Sequence, residues 1–215
     1  EASQAAGAGV IAVFASASEG FSRANINCSV AESIERFKPV LARAKADGVR
    51  VRGYISCVLG CPFDGEVSEE QVLQIVRAAA ESGVAEIALA DTIGVADPWL
   101  VRRRIEAARL AAPDQRLRMH FHDTRNTGLA NAYASVEAGV DVLDASCGGL
   151  GGCPFAPDAT GNIGTEDLVY MLERAGFETG YDLAGLIGTA KWMAGILRKP
   201  PAAFVSRAGV FPLPA

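Results

Sequence analysis

Residues Leu117–Ala145 have the sequence LRMHFHDTRNTGLANAYASVEAGVDVLDA, from which the architecture of the chain can be inferred. The segment opens with a short, mostly apolar strand pattern at Leu117–His122 and continues through an alanine-rich helical stretch. After Gly139 it enters a second strand pattern at Val140–Ala145. Glycine supplies the left-handed conformation that ends a helix, and valine favours the strand that follows. The segment therefore predicts one strand–helix–strand unit.

The same unit recurs along the chain. Gly-Val pairs also begin at Gly9, Gly48 and Gly83, each between a helix-like stretch and an apolar run. Gly-Val is common in alanine-rich chains, but its recurrence in one context favours a repeat. The predicted strands are short and mostly apolar, as buried parallel strands are. They are Val10–Ser16, Val51–Cys57, Ala85–Ala90, Leu117–His122 and Val140–Ala145.

The helices between these strands carry recognisable start signals. A capping side chain accepts a hydrogen bond from a free N–H of the first turn, and a proline, which has no N–H, fits the first helical position. These signals are Ser29 with Glu32, Ser68 with Gln71, Asp97-Pro98 and Thr165-Glu166-Asp167. A last helix is predicted from about Asp182 to Leu197, ahead of Pro200-Pro201.

Alternating strands and helices predict an α/β fold with a parallel sheet. Two architectures compete, an open doubly wound sheet and a closed (β/α)8 barrel. Five strands are too few for a barrel, but the polar residues follow the strand ends, where both architectures place active sites. No glycine fingerprint follows a strand in the context that a dinucleotide requires. No linker divides the chain, so we expect a single domain over residues 1–215.

Composition excludes several classes of protein. The 215 residues carry 20 basic and 25 acidic side chains, a net charge of −5, which argues against nucleic acid and anionic membranes as partners. No apolar run approaches the length of a membrane span. The five cysteines are an odd number in a chain too large to need disulfides, so we expect reduced thiols.

The strongest chemical signal is His120-Phe121-His122-Asp123. Two histidines two positions apart on a strand place both imidazoles on the same face. That arrangement suits two ligands of one metal ion. Two packed, hydrogen-bonded histidines at a strand end are the alternative.

A glycine-rich loop, SCGGLGGCPF, directly follows the last predicted strand. Its glycines allow close approach to a ligand, and Cys153 at its far end is a candidate nucleophile or acid–base group. A flexible loop with an incidental cysteine is the alternative. Asn162, shortly afterwards, can offer an oxygen to a hard cation or be an ordinary turn residue.

Three further positions are weaker candidates. Asp91 follows the third strand and is either a base or ligand, or a carboxylate that fixes its loop. Cys57 and Cys61 do not have the spacing of a structural zinc site. The segment Asn25–Cys28 is expected to be a polar loop after the first strand, placed where it could touch substrate.

These segments together resemble the 3-hydroxy-3-methylglutaryl-CoA (HMG-CoA) lyase family of metal-dependent (β/α)8 barrels, within a wider group that includes isopropylmalate synthase. The glycine loop is typical of the lyase, whereas the HxHD motif is shared by the wider group. The resemblance lies in Ala24–Ser29, Val51–Pro62, Leu89–Val95, His120–Thr124, Gly149–Phe155 and Ala159–Leu168.

The resemblance implies a role for each matched residue. His120, His122 and Asn162 are expected to bind a divalent metal, Mg²⁺ or Mn²⁺. Cys153 and Asp91 are expected to be catalytic. A larger set is expected along the acyl-CoA substrate: Asn25, Asn27, Cys57, Gly151 and Gly152.

The implied reaction is the retro-Claisen cleavage of HMG-CoA to acetyl-CoA and acetoacetate, as in leucine degradation and ketone-body formation. The implied partner is a small acyl-CoA, with no nucleic acid or membrane, and a homodimer is left open. The implied location is the cytoplasm of a bacterium or the mitochondrial matrix of a eukaryote.

One departure from the family bears on these expectations. The family's early strands carry a metal-binding Asp, an adjacent Arg and a later Glu, and no matching motif occurs in this sequence. We therefore expect an N-terminally incomplete TIM-barrel lyase with about five C-terminal β/α units. The alternatives are a related aldolase or acyl-CoA condensing enzyme, which the cysteine loop disfavours, and a non-catalytic fragment.

Overall fold

The computed structural model describes residues 5–152 and 161–212 of the chain. Strands and helices alternate over most of this length. In chain order they are β1 (Val10–Ser16), α1 (Glu19–Ile26), α2 (Val30–Ala46), β2 (Arg50–Ser56), α3 (Glu69–Ser82), β3 (Glu86–Asp91), α4 (Pro98–Ala111), β4 (Arg116–Phe121), α5 (Gly128–Glu137), β5 (Leu143–Asp144), a 3₁₀ turn (Cys147–Gly149), α6 (Thr165–Arg174), α7 (Leu183–Leu197) and α8 (Val205–Ala208).

The strand order distinguishes between the two architectures left open by the sequence. The five strands form one parallel sheet in the order β1-β2-β3-β4-β5, so each strand pairs with the next along the chain. A doubly wound sheet reverses its strand order at a switch point, whereas a (β/α) barrel does not. The sheet is therefore built as part of a barrel.

One face of the sheet is covered by helices and holds the hydrophobic core. Ile55, Ile87, Leu89, Met119 and Phe121 all point to this face and are completely buried. They pack with buried side chains of the helices, which include Val72, Val76 and Ile105. Burying each such side chain stabilises the fold by roughly 1.5–3 kcal/mol, so this face sets the register of the strands.

The other face of the sheet is polar. Residues alternate in β2 and β4, so Arg52, Tyr54, Arg118 and His120 share this second face. Glu86 of β3 pairs with both arginines, 2.9 Å from Arg52 and 3.1 Å from Arg118. The strands are thus less uniformly apolar than the sequence analysis assumed, and their second face carries the chemistry.

The predicted helix starts are confirmed. The side chains of Ser29 and Ser68 form capping boxes with Glu32 and Gln71. Asp97 caps α4 ahead of Pro98. The predicted glycine stop at Gly83 adopts the left-handed conformation with φ +91° at the end of α3.

Two local predictions were wrong. Asn25 lies inside helix α1, and Asn27 ends that helix in a left-handed conformation, so this segment is not a loop. Strand β5 is limited to Leu143–Asp144. After β5 the backbone pairs with the segment that precedes α6. Ser146 N–H donates to Ile163 O (3.1 Å), and Thr165 N–H donates to Ser146 O (2.9 Å).

Within residues 5–152 and 161–212, no helix is both long and apolar enough to cross a membrane.

The packing of the core predicts a clear contrast between two leucines. Leu89→Ala, at a completely buried position of β3, should lower the free energy of unfolding by about 2–5 kcal/mol because it leaves a cavity. Leu110→Ala on the exposed side of α4, where the leucine is 86% exposed, should change it by less than ~0.5 kcal/mol. Urea unfolding followed by circular dichroism measures both, and equal effects would contradict the assigned core.

Candidate active site at the carboxyl ends of the strands

A pocket of about 430 Å³ opens on the polar face, where the strands end. In (β/α) barrels this end of the sheet carries the active site. The side chains that line the pocket come from all five strands and the loops after them: Phe14, Tyr54, Ser56, Ala90, Thr92, His120, His122, Asp144 and Ala145.

The two histidines face this pocket together, as the sequence predicts. The centroids of their rings lie 5.3 Å apart with a 56° angle between the ring planes. Among the described residues, the Nδ1 atoms of His120 and His122 are buried and have no hydrogen-bond partner. A buried polar atom without a partner is costly, so these atoms mark a site whose contacts are incomplete.

Asn162 lies directly beside His122. The two residues face each other in an antiparallel bridge, flanked by Asp123 N–H donating to Gly161 O (2.9 Å) and Ile163 N–H donating to Phe121 O (3.1 Å). Residues paired in this way have side chains on the same face. The Asn162 amide N–H donates to Leu150 O (2.7 Å), and its buried Oδ1 has no partner among the described residues.

The electrostatics of His122 suit a ligand. Burial, together with the neighbouring His120, lowers the pKa of His122 from 6.5 to about 4. The imidazole is therefore neutral at physiological pH, which is the form that binds a metal ion.

The pocket also contains residues that the sequence analysis did not single out, among them Phe14, Tyr54 and Asp144. Tyr54 donates its hydroxyl to Asp144 at 2.6 Å and stacks on Phe14 with ring centroids 5.2 Å apart. Asp144 also accepts from Arg118 at 2.7 Å. The alternation of Arg52, Tyr54 and Ser56 along β2 was the available signal, but the partnership of Tyr54 with Asp144 spans 90 residues and has no local pattern.

Asp91 is placed in the sheet but not in the pocket. It pairs with Phe121, on the face opposite His120, and it is completely buried. Its carboxylate accepts from Val95 N–H (3.1 Å) and Ala96 N–H (3.0 Å). This geometry favours the loop-fixing alternative over direct contact with substrate.

The loop that Asp91 fixes also supports His122. The backbone oxygen of Asp91 accepts from His122 N–H at 3.3 Å. Gly94 has φ +60°, and a Cβ there would lie 2.9 Å from both His122 O and Thr124 N, so only glycine fits this approach. Asp91 therefore acts on the site through the backbone of His122.

Three of the expected substrate contacts lie elsewhere. The Cys57 side chain is completely buried in the core, where burial and the neighbouring Cys61 raise the pKa of its thiol. Its backbone still serves the pocket, because Cys57 N–H donates to the Thr92 hydroxyl at 2.8 Å. Asn25 and Asn27 are exposed at the far end of α1 and do not line the pocket.

The glycine loop is described only at its two ends. Cys153 lies outside the described residues. Gly151 and Gly152 are exposed, and Gly151 has φ +123° at a point where a Cβ would overlap the Asn162 side chain. Close packing between the two ends of the loop therefore requires glycine at position 151.

A second carboxylate holds the start of this loop. Glu166 is completely buried and accepts from Gly148 N–H (2.9 Å) and from the Cys147 thiol (3.1 Å). Burial and the charge of Glu166 raise the pKa of Cys147 to about 11, so this thiol stays protonated. A protonated thiol is a poor nucleophile.

A second pocket borders this one and shares Asp144 and Ala145 with it. It is larger, about 820 Å³, and lies between β5 and helices α6 and α7, with a mostly apolar lining that includes Val140, Leu168 and Leu172. Over residues 5–152 and 161–212, no three His, Cys, Asp or Glu side chains are grouped to hold a metal ion. Among the described residues, the candidate metal-binding set is the histidine pair with the Asn162 amide.

Comparison with known proteins identifies the family. The HMGL-like family profile matches residues 1–193. The chain belongs to the HMGL-like family.

HMGL-like relatives are similar over most of this chain. A Pseudomonas aeruginosa protein, 3-hydroxy-3-isohexenylglutaryl-CoA/hydroxy-methylglutaryl-CoA lyase, is 49% identical over 199 residues, which are 93% of this chain and 66% of the relative. The hydroxymethylglutaryl-CoA lyase of Pseudomonas mevalonii is 51% identical over 183 residues, 85% of this chain and 61% of the relative. The chain thus spans about two thirds or less of these curated relatives.

Solved HMGL-like structures confirm the TIM-barrel fold. The hydroxymethylglutaryl-CoA lyase of Pseudomonas aeruginosa superposes with a TM-score of 0.92 at 47% identity, covering 96% of this chain and 69% of that chain. A carboxyl transferase domain of Rhizobium etli pyruvate carboxylase, 21% identical with a TM-score of 0.67, shares the fold alone.

The structural role of Asp91 can be tested by stability. Asp91→Asn should lower the free energy of unfolding by about 1–3 kcal/mol, because an amide cannot accept both backbone hydrogen bonds as a carboxylate does. Asp114→Asn, the same change at an exposed position, is the control and should be neutral. Denaturant unfolding gives both values. An Asp91→Asn chain as stable as the unchanged protein would rule out the loop-fixing role.

Proposed function

We propose that this chain carries the metal-binding and proton-donating groups of a carbon–carbon lyase that cleaves HMG-CoA to acetyl-CoA and acetoacetate. The observation that carries the proposal is the convergence of the His120 and His122 rings and the Asn162 amide at the carboxyl ends of the strands, where the buried Asn162 Oδ1 has no partner among the described residues. Identities of 49% and 51% to proteins named as HMG-CoA lyases support the choice of reaction.

The residues of the pocket fit a divalent cation. His120, His122 and Asn162 would hold it through two imidazole nitrogens and one amide oxygen. Two imidazoles with an oxygen donor allow Mg²⁺, Mn²⁺ or Zn²⁺, and we propose Mg²⁺ or Mn²⁺ because the set contains no thiolate. When bound, such an ion polarises a substrate oxygen and lowers the pKa of its proton.

The chemistry requires two proton movements around one bond. The C3 hydroxyl of the substrate loses its proton to a base or to water as the C2–C3 bond breaks, and C3 becomes the ketone carbon of acetoacetate. The bonding electrons stay on C2 as the enolate of acetyl-CoA, which must gain a proton. Cys153 is the proposed donor of that proton.

The chain also shapes the surroundings of the reaction. Phe14 and the ring of Tyr54 form an aromatic wall on one side of the pocket. Asp91 is proposed to assist by holding the loop behind His122, since its carboxylate is occupied by Val95 and Ala96.

The substrate is proposed to be an acyl-CoA. The structure of an HMG-CoA lyase from Acinetobacter baumannii in complex with coenzyme A and 3-methylmalate, 37% identical with a TM-score of 0.90 and covering 99% of this chain and 70% of that chain, supports this substrate class. The Pseudomonas aeruginosa relative is also named for a glutaryl-CoA with a larger substituent, isohexenyl, at C3. Gly151 and Gly152 remain proposed substrate contacts.

Assembly and location are proposals too. We propose a homodimer without nucleic-acid or membrane partners, in the cytoplasm of a bacterium or in the mitochondrial matrix. The zebrafish relative is named as cytoplasmic, and the Arabidopsis thaliana and chicken relatives are named as mitochondrial.

The metal site predicts the outcome of two substitutions. His122→Ala and Asn162→Ala should each weaken Mn²⁺ binding by about tenfold or more, because each removes one ligand. Electron paramagnetic resonance of free Mn²⁺ measures the affinity directly. Gln74→Ala, on the exposed side of α3, is the control. Unchanged Mn²⁺ affinity in both folded variants would refute the site.

The role of Cys153 predicts a loss of turnover without loss of metal. Cys153→Ser should reduce acetoacetate release by about 10²–10⁴-fold, because a hydroxyl is a far weaker acid than a thiol, while Mn²⁺ affinity persists. Cys147→Ser is the matched control, since serine can still donate to Glu166. Near-normal turnover by Cys153→Ser would remove this thiol from the mechanism.

A further inference from the structure

Asp144 lies beside the histidine pair but has no part in the proposed ligand set. It is directly opposite His120 in the pairing of β4 with β5. Opposed residues on parallel strands project from the same face, so the carboxylate and the imidazole both enter the pocket. The distance from Asp144 Oδ2 to His120 Nδ1 is 3.7 Å.

The carboxylate of Asp144 is held firmly from its other sides. Oδ1 accepts from Arg118 at 2.7 Å, and Oδ2 accepts from the Tyr54 hydroxyl at 2.6 Å. Arg118 is held in turn by Glu86 at 3.1 Å, and Glu86 by Arg52 at 2.9 Å. This chain of ion pairs crosses four strands, so Asp144 has little freedom to move away from His120.

His120 Nδ1 has no competing partner. The atom is buried and forms no hydrogen bond, so the Asp144 carboxylate is its facing acceptor among the residues described. A distance of 3.7 Å is longer than a formed hydrogen bond, and such contacts are often long before a ligand binds. The Tyr54 hydroxyl already donates to Asp144, and the Arg118 guanidinium has no acceptor atom.

His122 has no equivalent carboxylate. Its Nδ1 is also buried without a hydrogen bond, but no ion pair joins it to an acid in the described chain. The two histidines of the pair are therefore unequal. In the described chain, only His120 faces a carboxylate, so an orienting role of Asp144 concerns the His120 ring alone.

We propose that Asp144 is a positioning residue that fixes His120 in the tautomer protonated on Nδ1 and so leaves Nε2 free to bind the metal ion. A ligating histidine commonly donates its second ring N–H to a carboxylate, which sets the ring orientation and strengthens the ligand. The inference rests on the proposed metal site, and it deepens that site by naming the residue that prepares it.

Histidine nuclear magnetic resonance tests the tautomer without metal or substrate. The sequence has two histidines, so a long-range ¹H–¹⁵N spectrum of the full chain contains two imidazole patterns, and His122→Gln assigns them. At about pH 8, we expect His120 to show the Nδ1–H pattern. The Nε2–H pattern for His120 in the unchanged protein would overturn the inference, and this measurement needs no variant at Asp144.

Substitution then tests the consequence for the metal. Asp144→Asn should shift His120 toward the Nε2–H tautomer and weaken Mn²⁺ binding by about 10–100-fold. Asp141→Asn is the matched control, because Asp141 lies three residues earlier, pairs with Arg116 at 2.7 Å and is exposed. The control should change Mn²⁺ affinity by less than about twofold.

The outcomes separate this inference from the proposed function. If His120→Ala weakens Mn²⁺ binding but folded Asp144→Asn leaves both affinity and tautomer unchanged, the inference is wrong and the metal site stands. If His120→Ala leaves Mn²⁺ affinity unchanged, the proposed metal site fails, and the tautomer of His120 still decides whether Asp144 orients the ring.

Discussion

The pleat of the parallel sheet is the constraint on which everything else in this protein depends. Successive side chains on a strand point to opposite faces. In β4 this sends Met119 and Phe121 into the core beneath the helices and His120 to the open polar face. A shift of one residue would bury His120 under the helices and expose the core. The free energy of burying the apolar face therefore also fixes the geometry of the histidine pair.

The polar face has its own internal order. Arg52, Glu86, Arg118 and Asp144 alternate in charge across neighbouring strands, so each partly buried ion is compensated by the next. A buried charge without a partner would cost several kcal/mol, and pairing offsets that cost. The arrangement ends at His120. The network that balances charge inside the sheet is thus continuous with the proposed metal site.

Backbone contacts behind the pocket complete the support. His122 is held from one side by the Asp91 loop, in which Gly94 allows the close approach. On the other side, Asp123 accepts from Gly128 N–H at 2.9 Å and so ties the end of β4 to the start of α5. Precise sites need such surrounding support, because a ligand misplaced by an ångström loses most of its effect. Asp91 and Asp123 therefore serve geometry even though neither enters the pocket.

The sequence by itself determined the repeat, the element types and much of the site. Capping residues such as Ser29 and Ser68 and glycines such as Gly83 act within one turn of the chain, so their effects can be inferred locally. The two-residue spacing of His120 and His122 needs only the strand period to place both rings on one face. The helix around Asn25 was missed, because its polar and apolar residues give no clear period over eight residues.

Other features depended on contacts between distant parts of the chain. The sequential strand order, which indicates a barrel, follows from how the units pack and not from any one segment. Asp91 faces away from the pocket because of its register with Phe121, and Asp144 meets Tyr54 from 90 residues away. Only the tertiary structure decided these relations, because hydrogen bonds and ion pairs between separate strands form after the strands have been aligned by their common core.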